Sequence, residues 1–247
     1  MPSDAHRESC DLVETSDDAA QRLALRGWAV LPGTLLGQGV RAALAAFGRI
    51  VPQYNGHDTW EVRARPGFET LPYSQSNNGI GAHTEAPVLS PPPRYLALHC
   101  KHQARCGGGH TLLADGLQFC TSLVGWDAVL RTKPIDFVAT PSPGNTQRHR
   151  LQAPLLSDGK THPIFRFSDN LFRYGDVNPT AEALASPSVR DPQLLELAAH
   201  AERFFDTHGT AVLVPDDCLL IWDNHRMMHA RSRFIDPARH LTRYWLQ

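Results

Sequence analysis

From Thr59 onward the β-prone residues come in short runs, and Pro, Gly or Asn separates most of them. Examples are Trp60-Glu61-Val62, Tyr95-Leu96-Ala97-Leu98, Thr111-Leu112-Leu113, Ile164-Phe165-Arg166-Phe167 and Thr210 to Val214. Strands of this length with turn signals between them suit a sandwich or barrel and argue against an alternating βαβ array. Gly27 to Leu31 reads as a further strand, ended by Pro32-Gly33. Helical periodicity is confined to three places: Asp17 to Arg26; Leu35 to Phe47, through Leu36, Val40, Leu44 and Phe47; and Pro192 to His208, whose Leu194, Leu195, Leu197, Ala198, Ala201 and Phe205 form one broad face. Ser90-Pro91-Pro92-Pro93 reads as a loop entering a strand. No internal repeat or linker divides the chain, so a single domain is expected over 17–247.

Composition excludes several classes. At 247 residues, 42% hydrophobic and 20% charged, the chain can bury a sizeable core. A net charge of −1 offers no electrostatic footprint for nucleic acid or an anionic membrane. Residues 1–16 lack periodic apolar positions and are expected to form a disordered leader. They carry no apolar segment of a signal peptide, and no apolar run reaches membrane-spanning length. Five cysteines, an odd number with no C-x-x-C pair, indicate reduced thiols in a cytoplasmic protein rather than a disulfide framework or zinc ribbon. Cys100 and Cys106 with His99, His102 and His110 could make a zinc site, but thiols packed in a core are the favoured reading.

The chemistry concentrates in His83-Thr84-Glu85. On a strand alternate side chains share a face, so His83 and Glu85 project together and Thr84 projects away. Among thirteen histidines one such tripeptide can arise by chance. The segment Trp222 to His229 gives it weight, because it brings a second histidine out of a strand and turn. Arg239 and Arg243 follow, four apart on a segment of strand formers, and thus on one face. Buried arginines are rare unless paired, and an anion is a natural partner. Two imidazoles and a carboxylate with open positions suit Fe(II). Two alternatives remain open at this level: a zinc hydrolase using the same three ligands, and a noncatalytic β-barrel binding protein.

The blocks H-T-E (83–85), G-G-x-T-L-L-A-D (108–115), W-D-N-x-x-x-x-H-A-R (222–231) and R-H-L-x-R-x-W-L (239–246) resemble the Fe(II)/2-oxoglutarate oxygenases of the taurine dioxygenase superfamily. Glutamate in the H-x-E motif is similar to the branch of clavaminate synthase and the asparagine or arginine hydroxylases. The resemblance runs from about Arg26 to the C-terminus and is weakest over 141–192, where a lid is expected. It implies a mainly β (α+β) fold, a double-stranded β-helix (jelly-roll, cupin-like) core with flanking helices. It implies His83, Glu85 and His229 as catalytic iron ligands, with 2-oxoglutarate and O2 as cosubstrates. Thr111 and Arg239 would hold the distal carboxylate of 2-oxoglutarate, and Arg243 an acidic group of the substrate. Asn77 and Asn78, with Ser76, either line the substrate pocket, as the resemblance implies, or form an ordinary Asn-Asn-Gly turn; Asp169 could hold a substrate amine, but a solvated loop aspartate is the favoured reading. A carboxylate at position 85 argues against halogenation, in which a small residue admits halide. The implied substrate is an amino acid or an amino-acid-derived intermediate of specialised metabolism, free or tethered to a carrier protein. Hydroxylation is the default outcome; desaturation, cyclisation and epoxidation share its chemistry. The sequence is silent on oligomeric state.

Overall fold

The computed structural model describes residues 11–141, 147–187, 189 and 191–247. Strands β1 (Trp28–Leu31), β2 (Ile50–Val51), β3 (Thr59–Val62), β4 (Ile80–His83), β5 (Tyr95–His102) and β6 (Thr111–Asp115) come first. A middle segment carries two antiparallel pairs, β7 (Ile135–Ala139) with β8 (His149–Ala153) and β9 (Leu156–Ser157) with β10 (Ile164–Phe165). The chain then returns through β11 (Thr210–Val212), β12 (Leu219–Asp223), β13 (Met227–Arg231) and β14 (His240–Leu246). The larger antiparallel sheet has the order β1-β12-β5-β14-β2, with β3 also on β14; the smaller has the order β11-β6-β13-β4. Early strands thus interleave with late ones in both sheets, as in the expected double-stranded β-helix.

The period of two in the sequence decides what each face buries. In the larger sheet Leu96, Leu98, Leu220 and Trp222 point between the sheets, where they meet Leu113 and Met227 of the smaller one. Their neighbours Ala97, Leu219 and Ile221 point outward, under α1 (Ser16–Arg26) and α2 (Val40–Leu44). On the outer face of the smaller sheet, Ala82, Ala114 and Met228 share a Phe-rich cluster with α3 (Gly116–Ser122), α4 (Asp127–Thr132), α5 (Asp169–Tyr174) and, after the short α6 (Ala181–Ala185), α7 (Pro192–His208). Each fully buried large apolar side chain contributes about 1.5–3 kcal/mol. Covering on both faces explains why β12 and β13 are buried along their whole length.

Local chemistry fixes the ends. Thr15 and Asp18 form a reciprocal capping box on α1, and Gly27 closes that helix in the left-handed region. Asp191 caps α7 through the Gln193 amide, with Pro192 in the first turn. Residues 1–10 of the expected leader lie outside the described residues. The rest of it is anchored: Leu12 bridges Val30 and Val13 is buried.

Two expectations need correction. The single helix expected over Leu35 to Phe47 is a 3-10 turn, Gly33–Leu36, followed by α2. Gly37 and Gly39 interrupt it, Gly39 at φ +93°, yet Leu36, Val40 and Phe47 still pack on the sheet. Ile164 to Phe167 is a strand only at its first two residues, after which it passes behind the H-T-E segment. The favoured reading of the cysteines holds for Cys100, Cys120 and Cys218, which are free and buried, and the alternative zinc site does not form. Among the described residues one group alone has ligand geometry, and it contains no cysteine. Among them, too, no helix is long and apolar enough to cross a membrane.

Candidate active site

β4 and β13 run antiparallel with His83 opposite His229, and this register brings two distant histidines together. Their ring centroids lie 3.9 Å apart. Glu85, two residues past His83, joins them from the same face, with Oε2 3.7 Å from His229 Nε2. The ligand atoms of His83, Glu85 and His229 all lie within 4.8 Å of one another. Thr84 points the other way: its hydroxyl accepts from the Phe167 amide at 3.1 Å, and its own amide donates to the Phe167 carbonyl at 3.0 Å. His83 Nδ1–H donates to the Gly81 carbonyl at 2.9 Å, which leaves Nε2 as the lone-pair donor.

The fully buried Asn224 holds the glutamate in place. Its Oδ1 accepts from the Glu85 amide at 2.6 Å, while its Nδ2 donates to the carbonyls of Glu85 (3.1 Å) and Pro93 (2.9 Å). On the carboxylate, Oε1 receives Arg243 Nη1 at 2.8 Å, leaving Oε2 toward the histidines. Burial, and then His229 beside it, push His83 down to about 3, so this imidazole is neutral at ordinary pH. Burial opposes the charge on Glu85, but Arg243 and His229 outweigh it and hold the carboxyl at about 2. A neutral imidazole and a carboxylate are the forms in which these groups bind a metal.

Two cavities meet at this cluster. The inner one, between the sheets, is lined by Thr111, Trp222, Arg231 and Arg239 with the three cluster residues. Arg239 is 1% exposed; its Nε donates to the Gly109 carbonyl at 3.2 Å, and Nη1 has no partner. A Cβ on Gly109 (φ +79°) would lie 2.8 Å from Arg239 Nε, so the glycine at this position makes room for the guanidinium. The Phe234 ring meets both arginines, with the guanidinium carbons of Arg239 and Arg231 5.0 and 5.2 Å from its centroid. Burial pulls Arg239 down to about 10; burial and the neighbouring Arg239 pull Arg231 down to about 9. An unpaired buried cation is costly, and an anion in the inner cavity would relieve it.

The outer cavity is lined by Tyr54, Trp60, Tyr73, Gln75 and Asn178 among others, and it too reaches His83, Glu85 and Arg243. Arg243 stands on the boundary, its Nε donating to Gln53 Oε1 at 2.9 Å. His83, Glu85, His229, Thr111, Arg239 and Arg243 are therefore gathered in one place. Asn77 and Asn78 line neither cavity, contrary to expectation. The Asn78 side-chain amide donates to the carbonyls of Glu69 and Leu71, and the Asn77 backbone carbonyl accepts from the Phe234 backbone amide. Ser74 and Gln75 of the same segment take the lining positions. Asp169 lines neither cavity either: it packs behind Gly81 and pairs with Arg173 at 2.8 Å. Part of the expected lid, residues 142–146 with 188 and 190, lies outside the described residues. Asn170, Val177 and Asn178, within the same stretch, do border the outer cavity.

Sequence reasoning missed Asn224 and Arg231. Arg231 donates to the carbonyls of Tyr73, Ser74, Ser76 and Asn78 and to the Ser76 hydroxyl, and so fixes the segment that walls the outer cavity. A signal existed, because Arg231 follows His229 by two and shares its face. Asn224 sits in a W-D-N turn that gives no hint of a partner 139 residues away.

The family model described as "Taurine catabolism dioxygenase TauD, TfdA family" matches residues 6–245. No curated protein sequence matches the chain. Among solved structures, asparagine oxygenase in complex with Fe(II), 2S,3S-3-hydroxyasparagine and succinate superposes with a TM-score of 0.70 at 18% identity, over 94% of this chain and 78% of that one. The non-heme iron oxygenase OrfP in complex with Fe, succinate and (3S)-hydroxy-L-Arg gives 0.65 at 19% identity, over 94% and 80%. PvcB, an Fe, α-ketoglutarate dependent oxygenase from an isonitrile synthetic pathway, gives 0.61 at 19%, over 94% and 80%. These likenesses establish the jelly-roll fold.

Proposed function

Because the chain belongs to the taurine catabolism dioxygenase TauD/TfdA family, we propose that it is an Fe(II)- and 2-oxoglutarate-dependent dioxygenase acting on a free amino acid or a small derivative of one, with hydroxylation as the outcome. One observation carries the reading: a buried guanidinium, Arg239, with an unpartnered Nη1, shares a cavity with a two-histidine, one-carboxylate cluster. That pairing fits a metal and a dicarboxylate side by side. A zinc hydrolase would use the cluster but give Arg239 and Thr111 no task, and a noncatalytic barrel would use neither.

His83, Glu85 and His229 are the residues that would hold Fe(II), a donor set matched to that ion with positions left open. Thr111 and Arg239 would hold the distal carboxylate of 2-oxoglutarate, the planar guanidinium fixing its orientation. When bound, iron and 2-oxoglutarate supply an oxidation that consumes O2, releases succinate and CO2, and hydroxylates a C–H bond of the second substrate. The chain's own task is orientation and exclusion of water. Asn224 keeps Glu85 in register, and Arg243 occupies the carboxylate oxygen turned away from the histidines. Arg243 also reaches the outer cavity, where a free substrate carboxylate would meet it. Residues 17–247 act as one catalytic domain in this reading, since strands from Trp28 to Leu246 interleave in the two sheets.

The test is turnover. Protein loaded with Fe(II), supplied with 2-oxoglutarate and O2 and challenged with a panel of amino acids, is expected to form succinate, faster with a substrate than without. No succinate with any amino acid, or equal rates with and without Fe(II), would refute the proposal.

A further inference from the structure

The two neighbours of known product differ in what they hydroxylate, one asparagine and the other arginine. A shared fold does not choose between a neutral and a basic side chain. The charges around the cavities do. Among the described residues that line them, Glu85 is the one carboxylate, against three guanidinium groups, Arg231, Arg239 and Arg243. Glu85 is already engaged by Arg243 at 2.8 Å. A divalent metal and a dianionic cosubstrate cancel each other and leave that positive balance unchanged. Other acids next to lining residues are occupied: Glu61 by Lys101 and Thr242, Asp169 by Arg173, and Asp176 by the Thr140 and Asn178 amides. A further cation placed beside Arg243 meets like-charge repulsion that no free carboxylate of the lining offsets.

What the outer cavity does offer is neutral and polar. The side-chain amides of Gln75 and Asn178 border it and make no hydrogen bond to any other described residue. Tyr54 and Tyr73 add walls whose phenols stay protonated. Burial raises both, the charge of Glu85 adding for Tyr54 and that of Asp176 for Tyr73. Amides can accept from an ammonium and can pair with a neutral polar side chain, but they cannot neutralise a guanidinium.

We infer that the outer cavity binds a small amino acid whose side chain carries no positive charge, with its carboxylate on Arg243 and its remaining polar groups on Gln75 and Asn178, and that it rejects arginine and lysine. This inference rests on the iron and 2-oxoglutarate reading above. Anaerobic protein loaded with Fe(II) and 2-oxoglutarate is titrated with L-asparagine, L-glutamine, L-leucine, L-arginine and L-lysine, following the perturbation of the visible chelate absorption. At least one neutral amino acid is expected to bind 10-fold or more tightly than either basic one. Asn178→Asp supplies the missing carboxylate and is expected to shift the ratio at least 10-fold toward arginine or lysine, with Gln75→Glu as a second variant should the first not fold. A basic amino acid binding wild type as tightly as any neutral one, no binding by any of the five, or an unchanged ratio in the folded variants would each overturn the inference. Absence of the chelate band itself would instead remove the reading on which it stands.

Discussion

Replacing Arg239 by methionine separates a binding arginine from a structural one, because the two roles move stability in opposite directions. Arg239 is 1% exposed, and its pKa falls from 12.5 to about 10, with burial as the main cause. A drop of that size is roughly 3 kcal/mol against the charged form at about 1.4 kcal/mol per unit. The sign follows from the depressed pKa of a base: the penalty is full below about 10 and fades between there and 12.5, so it acts in full at pH 7. Offsetting it are one hydrogen bond to Gly109, about 1 kcal/mol, and the Phe234 ring face, about 0.5–1 kcal/mol. The metal-free Arg239→Met protein is therefore expected to gain about 1 kcal/mol in urea unfolding at pH 7, with an unchanged m-value. Binding of 2-oxoglutarate loses a charge-assisted partner worth about 1.5–3 kcal/mol per bond, a weakening of roughly 100-fold to 10,000-fold if both bonds form. Fe(II) affinity should stay within a few-fold. A loss of about 2 kcal/mol or more in the metal-free protein, with 2-oxoglutarate binding intact, would refute the reasoning and make Arg239 a packing residue.

Three other perturbations probe the supports of the site. Asn224→Ala removes three buried hydrogen bonds to Glu85 and Pro93; urea unfolding should show a loss of about 3 kcal/mol, and metal titration a weakening of roughly 10-fold or more, whereas unchanged metal affinity would deny its positioning role. Arg231→Met frees the carbonyls of Tyr73, Ser74, Ser76 and Asn78; amide exchange over 73–78 should accelerate well beyond that of β5, and uniform protection across both would contradict the clamp. Glu85 is held at about 2 against its ordinary 4.5, so its contribution to metal-free stability is full above about 4.5 and is lost as the pH falls toward 2. The acid limb of a stability-against-pH profile should flatten in Glu85→Gln, and an unaltered limb would show that the carboxylate is not held by Arg243 and His229.

Much of this arrangement was legible in the sequence because it follows from period-two alternation and strong local signals. H-T-E puts two ligands on one face, Arg243 lies on β14 with Arg239 just before its first residue, and the capped helix over 192–208 carries its own start and stop. What failed was of two kinds. Where glycines intervene, as at Gly37 and Gly39, apolar spacing alone overextended a helix, although the same side chains still reach the sheet. Where a role depends on long-range partners, local chemistry misled: Asn78 looks like polar lining but spends its side-chain amide on the carbonyls of Glu69 and Leu71. Asn224 looks like a turn residue but secures Glu85 across 139 positions. Arg231 could have been read from its spacing to His229; the carbonyls it gathers could not.

The central claim is that His83, Glu85 and His229 hold Fe(II) beside a dicarboxylate on Arg239. Its most direct test is the visible absorption of the anaerobic protein with Fe(II) and 2-oxoglutarate. The account predicts a metal-to-ligand charge-transfer band that requires both additions, saturates at one equivalent of iron and vanishes in His229→Ala. Fully metallated wild-type protein that shows no such band, or a band that persists in His229→Ala, would contradict it.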